Sequence, residues 1–96
     1  MRWITDAGHG WLAVSFAELA DIGAAIDDFS NYSFINRGAQ TVYLEEDCDA
    51  PAFIAKHPKR QSDFFRTLPE THLTDSSDRN LVRRCPRLGD LRRFSR

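Results

Sequence analysis

Four stretches of this chain carry side chains able to do chemistry. Glu45-Glu46-Asp47-Cys48-Asp49 sets four carboxylates in five residues, and clustered carboxylates suit hard cations such as Mg²⁺ or Ca²⁺. The glycine at the sixth position and the distal glutamate of an EF-hand loop are both out of register, so no metal is expected there. The competing role is structural: Asp47 and Asp49 cap a following helix at its positive end, while Glu45 and Glu46 face water or the arginine tail. Asp6-Ala7-Gly8-His9-Gly10-Trp11 offers two glycines that let backbone N–H groups approach an anion, and a histidine that exchanges a proton near neutral pH. It lacks the third glycine of a dinucleotide loop and the lysine of a phosphate loop. The same hexapeptide also reads as a hairpin turn with a surface histidine and a core tryptophan.

His9, His57 and His72 lie on three separate segments, and Cys48 and Cys85 form no close pair. No catalytic triad or zinc ligand set follows from such spacing, so no catalytic residue and no cofactor is assigned. The thiols read as free. The last stretch holds Arg83, Arg84, Arg87, Arg92, Arg93 and Arg96. Guanidinium forks suit phosphate, and Phe94 offers a ring for a base to stack on. An isoelectric point near 6.3 is low for a nucleic-acid module, and the alternative is a tail folded back onto residues 45–49.

The elements that would position these groups follow from pattern. Trp3-Ile4-Thr5 and Trp11-Leu12-Ala13-Val14 read as strands of a β-hairpin across the glycine-rich turn. Ser15-Phe16-Ala17-Glu18 is a capping box that starts a helix, with Gly23 as its left-handed stop. Segments 32–36 and 40–44 form a second hairpin around Arg37-Gly38-Ala39, with Val42 and Leu44 on one face of the second strand. A helix starts at Asp49 or Ala50 with Pro51 in its first turn. Pro58 divides it from a second helical piece over residues 62–66. Segments 71–74 and 80–85 read as a last pair of strands around a turn at 75–79. Leu88, Leu91 and Phe94 leave open a short docked helix or a frayed end. The fold class expected is α+β: a small antiparallel sheet built from hairpins, with two short helices on one face.

Ninety-six residues make one domain, taken as residues 1–88, with residues 89–96 as an arginine-rich tail. A homodimer would add core to so short a chain. No apolar run reaches the roughly 20 residues of a membrane span, and residues 1–6 lack the apolar run of a secretion signal, so a cytoplasmic address is expected. Residues 1–50 carry nine carboxylates against two arginines, whereas residues 79–96 carry seven arginines against one aspartate. The near-zero net charge therefore conceals an acidic first half and a basic end.

Three segments carry a resemblance: Thr5-Asp6-Ala7-Gly8-His9-Gly10-Trp11-Leu12-Ala13-Val14, then Val42-Tyr43-Leu44-Glu45-Glu46-Asp47-Cys48-Asp49-Ala50 with Phe53, then Val82-Arg83-Arg84-Cys85-Pro86-Arg87-Leu88. Up to about Leu88 the chain resembles a group of short uncharacterised proteins carried by plasmids, prophages and other mobile elements. The resemblance brings no catalytic residues. It implies a non-enzymatic module that occupies a larger host protein, such as an inhibitor of a defence nuclease or effector in the manner of anti-CRISPR proteins. The acidic residues would then mimic phosphate, so Glu45, Glu46, Asp47 and Asp49, with Trp11, Tyr32 and Tyr43 as exposed anchors, form the expected protein-binding set. The alternatives are a small nucleic-acid-binding accessory protein using the C-terminal arginines, and an enzyme or metal-binding protein built on His9 and the 45–49 cluster.

Overall fold

Alternation of apolar residues builds two antiparallel hairpins in the computed structural model, which describes residues 1–73 and 81–94. β1 (Arg2–Thr5) pairs with β2 (Gly10–Ser15), and β3 (Phe34–Asn36) with β4 (Thr41–Glu45). β2 and β4 join the hairpins, with Leu12 opposite Leu44 and Val14 opposite Val42. β5 (Glu70–His72) adds to β1, giving the order β3-β4-β2-β1-β5. The α+β class is as expected, but β5 runs parallel to β1, so the sheet is mixed. A strand that returns after a long helical excursion is free to enter in parallel, as a two-residue hairpin is not.

The period of two sorts the strands onto two faces. Leu12, Val14, Ile35, Val42 and Leu44 pack with Leu19, Phe29, Phe53, Phe65 and Leu88. These partners come from α1 (Phe16–Asp21), a 3-10 turn (Phe64–Thr67), α2 (Asp49–Lys56) and α3 (Leu88–Phe94) among others. The opposite face presents Ile4, Trp11, Ala13, Phe34 and Tyr43, and is covered by Leu73, Leu81, Val82 and Cys85.

Local chemistry sets the helix ends. The Ser15 hydroxyl accepts from the Glu18 N–H at 3.1 Å, and the Glu18 carboxylate accepts from the Ser15 N–H at 2.9 Å, closing the expected capping box. Gly23 follows the helix at φ +70°, a conformation that glycine adopts without a Cβ penalty. α2 stops at Lys56, as Pro58 requires. The piece expected as α-helix over 62–66 is instead the 3-10 turn, whose Phe65 meets the Phe53 ring edge-on at 6.3 Å.

The last expected hairpin is corrected. Residues 70–72 form β5, but residues 81–84 are turns, because Val82 is held by packing on the sheet face and not by a ladder. The expected turn at 75–79, with Thr74 and Asn80, lies outside the described residues. The segment then meets the β3 edge through a bridge between Phe34 and Arg87, flanked by Ile35 N–H to Pro86 O at 3.0 Å and Leu88 N–H to Ser33 O at 2.8 Å. α3 follows directly, with Gly89 N–H on Asn31 O at 3.2 Å. Among the described residues no helix is long and apolar enough to cross a membrane.

Candidate functional site

The turn between β1 and β2 is organised by one carboxylate. Asp6 Oδ1 accepts from the Gly8 and His9 N–H groups at 2.9 and 2.8 Å, and Oδ2 accepts from Arg83 Nε at 3.0 Å. Burial by itself would raise the Asp6 pKa. The Gly8 N–H, the Arg83 guanidinium and the His9 N–H outweigh it and lower the pKa to about 2. Arg83 Nη2 also sits 2.8 Å from His9 Nδ1. A guanidinium only donates, so Nδ1 accepts and the neutral ring carries its proton on Nε2. The same guanidinium lies 5.4 Å from the centre of the Trp11 ring, on which His9 stacks at 6.1 Å. Phe34 meets Trp11 edge-on at 6.1 Å, and Arg87 covers Phe34 at 5.2 Å.

The facing wall is the turn after β4. Glu45 accepts from the Asp47 and Cys48 N–H groups at 2.8 and 2.9 Å, so Glu45 fixes this turn. The helix caps expected of Asp47 and Asp49 are not formed: Cys48 holds the N-cap position of α2 without a side-chain cap bond. Asp49 is only 3% exposed. Its carboxylate accepts from the Ser30 N–H at 2.9 Å, the Ser30 hydroxyl at 2.7 Å and the Ser33 hydroxyl. Ser33 in turn accepts from the Glu45 N–H at 3.0 Å. Asp49 thus ties the start of α2 to the approach of β3, and it is unavailable to a partner.

Together these walls enclose a cleft of about 320 Å³ lined by His9, Trp11, Tyr32, Phe34, Glu45, Asp47, Arg83 and Arg87. Several sequence-derived candidates converge there, and others are corrected. Trp11 and Tyr43 were expected as exposed anchors but are 2% and 5% exposed. β2 and β4 are interior strands covered on both faces, so alternation leaves neither a wet side. Burial also raises the Tyr43 phenol pKa. Tyr32 is 67% exposed, as expected of an anchor. Glu46 and Asp47 are exposed, with no hydrogen bond or ion pair to their carboxylates among the described residues. Arg83 is bound to Asp6 instead of folding onto residues 45–49. Arg84 is exposed. The side chains of Arg92 and Arg93, and Arg96 entirely, lie outside the described residues.

Among the described residues no three His, Cys, Asp or Glu side chains gather as a metal site. Cys48 is exposed and Cys85 half-buried, both as free thiols. Burial raises the Cys85 pKa against a smaller opposing effect of Arg84, which disfavours the reactive thiolate. The cleft is equipped to bind charged groups against aromatic rings. Sequence reasoning missed Phe34 as its floor and missed the pairing of Asp6 with Arg83. Seventy-seven residues separate that pair, and no local spacing signals it. No protein-family model, curated protein or solved structure matches the chain.

Proposed function

We propose that this chain is a non-enzymatic protein-binding module that receives a segment of a larger partner in the cleft between its two acidic turns. The observation that carries this reading is the composition of the cleft: two guanidiniums, two carboxylates and an exposed tyrosine over a floor of Trp11 and Phe34. Arginine and aromatic side chains are enriched where protein interfaces concentrate their binding energy. The resemblance to proteins of mobile elements directs the partner toward a host defence nuclease or effector complex, met in the cytoplasm, with the chain acting as its inhibitor. Mimicry of phosphate narrows to Glu46 and Asp47, since Glu45 and Asp49 are committed to internal hydrogen bonds.

The nucleic-acid reading draws on Arg84 and Arg87, which are exposed. The carboxylates of Glu45 and Asp47 in the same cleft oppose it, since they repel a polyanion. Affinity capture from host lysate, with and without nuclease treatment, tests the choice. A specific protein should be retained after nuclease treatment and lost from the double variant Asp47→Lys, Arg87→Glu. Capture that disappears on nuclease treatment would move the function to the arginines.

A further inference from the structure

We infer that the Arg87 guanidinium is the anchor for a carboxylate of the bound polypeptide, an inference that rests on the protein-binding reading of the cleft. The two arginines of the cleft differ in what they have left to give. Arg83 directs Nε to Asp6 and Nη2 to His9, so its fork is largely committed within the chain. Among the described residues the Arg87 guanidinium has no hydrogen bond or ion pair, and it lies over the Phe34 ring at 5.2 Å.

That contact matters because it holds the guanidinium at the cleft before any ligand arrives. Phe34 is buried and braced by Trp11. The Arg87 backbone is held by the bridge to Phe34, by the flanking bonds to Ser33 and Ile35, and by its own N–H on Asp90 Oδ2 at 3.3 Å. A guanidinium held to a ring by a cation–π contact keeps its N–H donors available for the two parallel hydrogen bonds that a carboxylate accepts. Little ordering then remains to oppose binding.

The rest of the lining selects among anions. Glu45 and Asp47 share the cleft with Arg87, so a dianionic phosphate or a nucleic-acid strand brings repulsion that a single carboxylate largely avoids. Asp47, whose carboxylate has no partner among the described residues, suits a cationic side chain of the same segment. Tyr32 adds an exposed ring and hydroxyl. The carboxylate comes from either an acidic side chain or a chain terminus, since both present the same pair of oxygens.

The test follows, by ¹⁵N NMR in the intact protein, the Arg87 Nε–Hε signal and, in the Arg87 variants, the backbone amide signals of the cleft residues Tyr32, Phe34 and Asp47. The probes are N-acetyl-glutamate methylamide, N-acetyl-alanine, N-acetyl-glutamine methylamide and inorganic phosphate. A saturable shift is expected with the first or the second probe, which separates side-chain from terminal carboxylates. The glutamine compound and phosphate should bind roughly tenfold more weakly or worse. Arg87→Lys, which keeps the charge and loses the fork, should weaken the carboxylate response, and Arg87→Gln should abolish it while the melting temperature holds. Equal response to glutamate and glutamine compounds, tighter binding of phosphate, or an unchanged titration in Arg87→Gln would overturn the inference. The titration needs no partner, so a failed capture leaves it standing. A partner still captured by Arg87→Gln overturns this inference and spares the broader reading.

Discussion

The two faces of the sheet are buried by different means. One is covered by helices that bring Leu19, Phe53 and Leu88 down on Leu12, Val14, Val42 and Leu44 in an apolar seam. The other is covered by a segment without regular structure, whose Val82 and Leu81 pack on Ile4, Trp11 and Tyr43, while its arginines emerge beside the rings of Trp11 and Phe34. A run of basic residues at the end of a chain looks like a free electrostatic arm. Here part of it closes a second core, and the charges displayed are the ones that packing positions.

The contrast can be broken or sharpened by substitution. Phe53→Ala on the helical face should cost about 3–5 kcal/mol, against about 2 kcal/mol for Val82→Ala opposite, both read from urea unfolding. Equal costs would erase the distinction between a main core and a covering segment. Asp49→Ala should cost about 3 kcal/mol, because the Ser30 and Ser33 donors lose a charged acceptor inside the protein. Chemical denaturation checks this, and a cost under about 1 kcal/mol would return Asp49 to the surface set.

Acid should act on the turn of the cleft face through Asp6. Its native pKa of about 2 lies below the ordinary 3.8, so the folded state favours the ionised form. That stabilisation is complete above about pH 5 and is lost as pH falls through the native value. At one pKa unit per 1.4 kcal/mol, and reduced for solvent screening, it amounts to about 1–2 kcal/mol. Asp6→Asn should flatten the acid limb of the stability profile by that amount. The smallest effect belongs to the helical face, where Ser15→Ala should cost about 1 kcal/mol through the lost cap, measured by thermal unfolding.

The hairpins, the capping box and the glycine stop were legible because each is written in neighbouring residues. The Ser15 and Glu18 pair needs only a spacing of three, and Val42 with Leu44 only a period of two. The burial of Trp11 and Tyr43 was not legible, since it depends on which strands become interior. The parallel entry of β5 was hidden for the same reason, and so was the choice of Asp6 over the 45–49 cluster as the seat of Arg83. Each is a contact between residues tens of positions apart, which no local pattern encodes. Within the acidic cluster, Asp47 and Asp49 are indistinguishable by composition, yet a shift of two residues separates a solvent-facing carboxylate from one bound by serines.

The parallel pairing of β1 with β5 also bears on the order of assembly. Trp3, Ile4 and Thr5 lie beside Glu70, Thr71 and His72, and the Trp3 indole donates to the Phe65 carbonyl at 2.8 Å. β1 must therefore wait until residues 65–72 have been made before this pairing can form. Closing so long a loop is slow compared with forming either hairpin. During synthesis one edge of β1 stays unmatched, and that interval is when a growing chain of this kind is most open to capture by a neighbour.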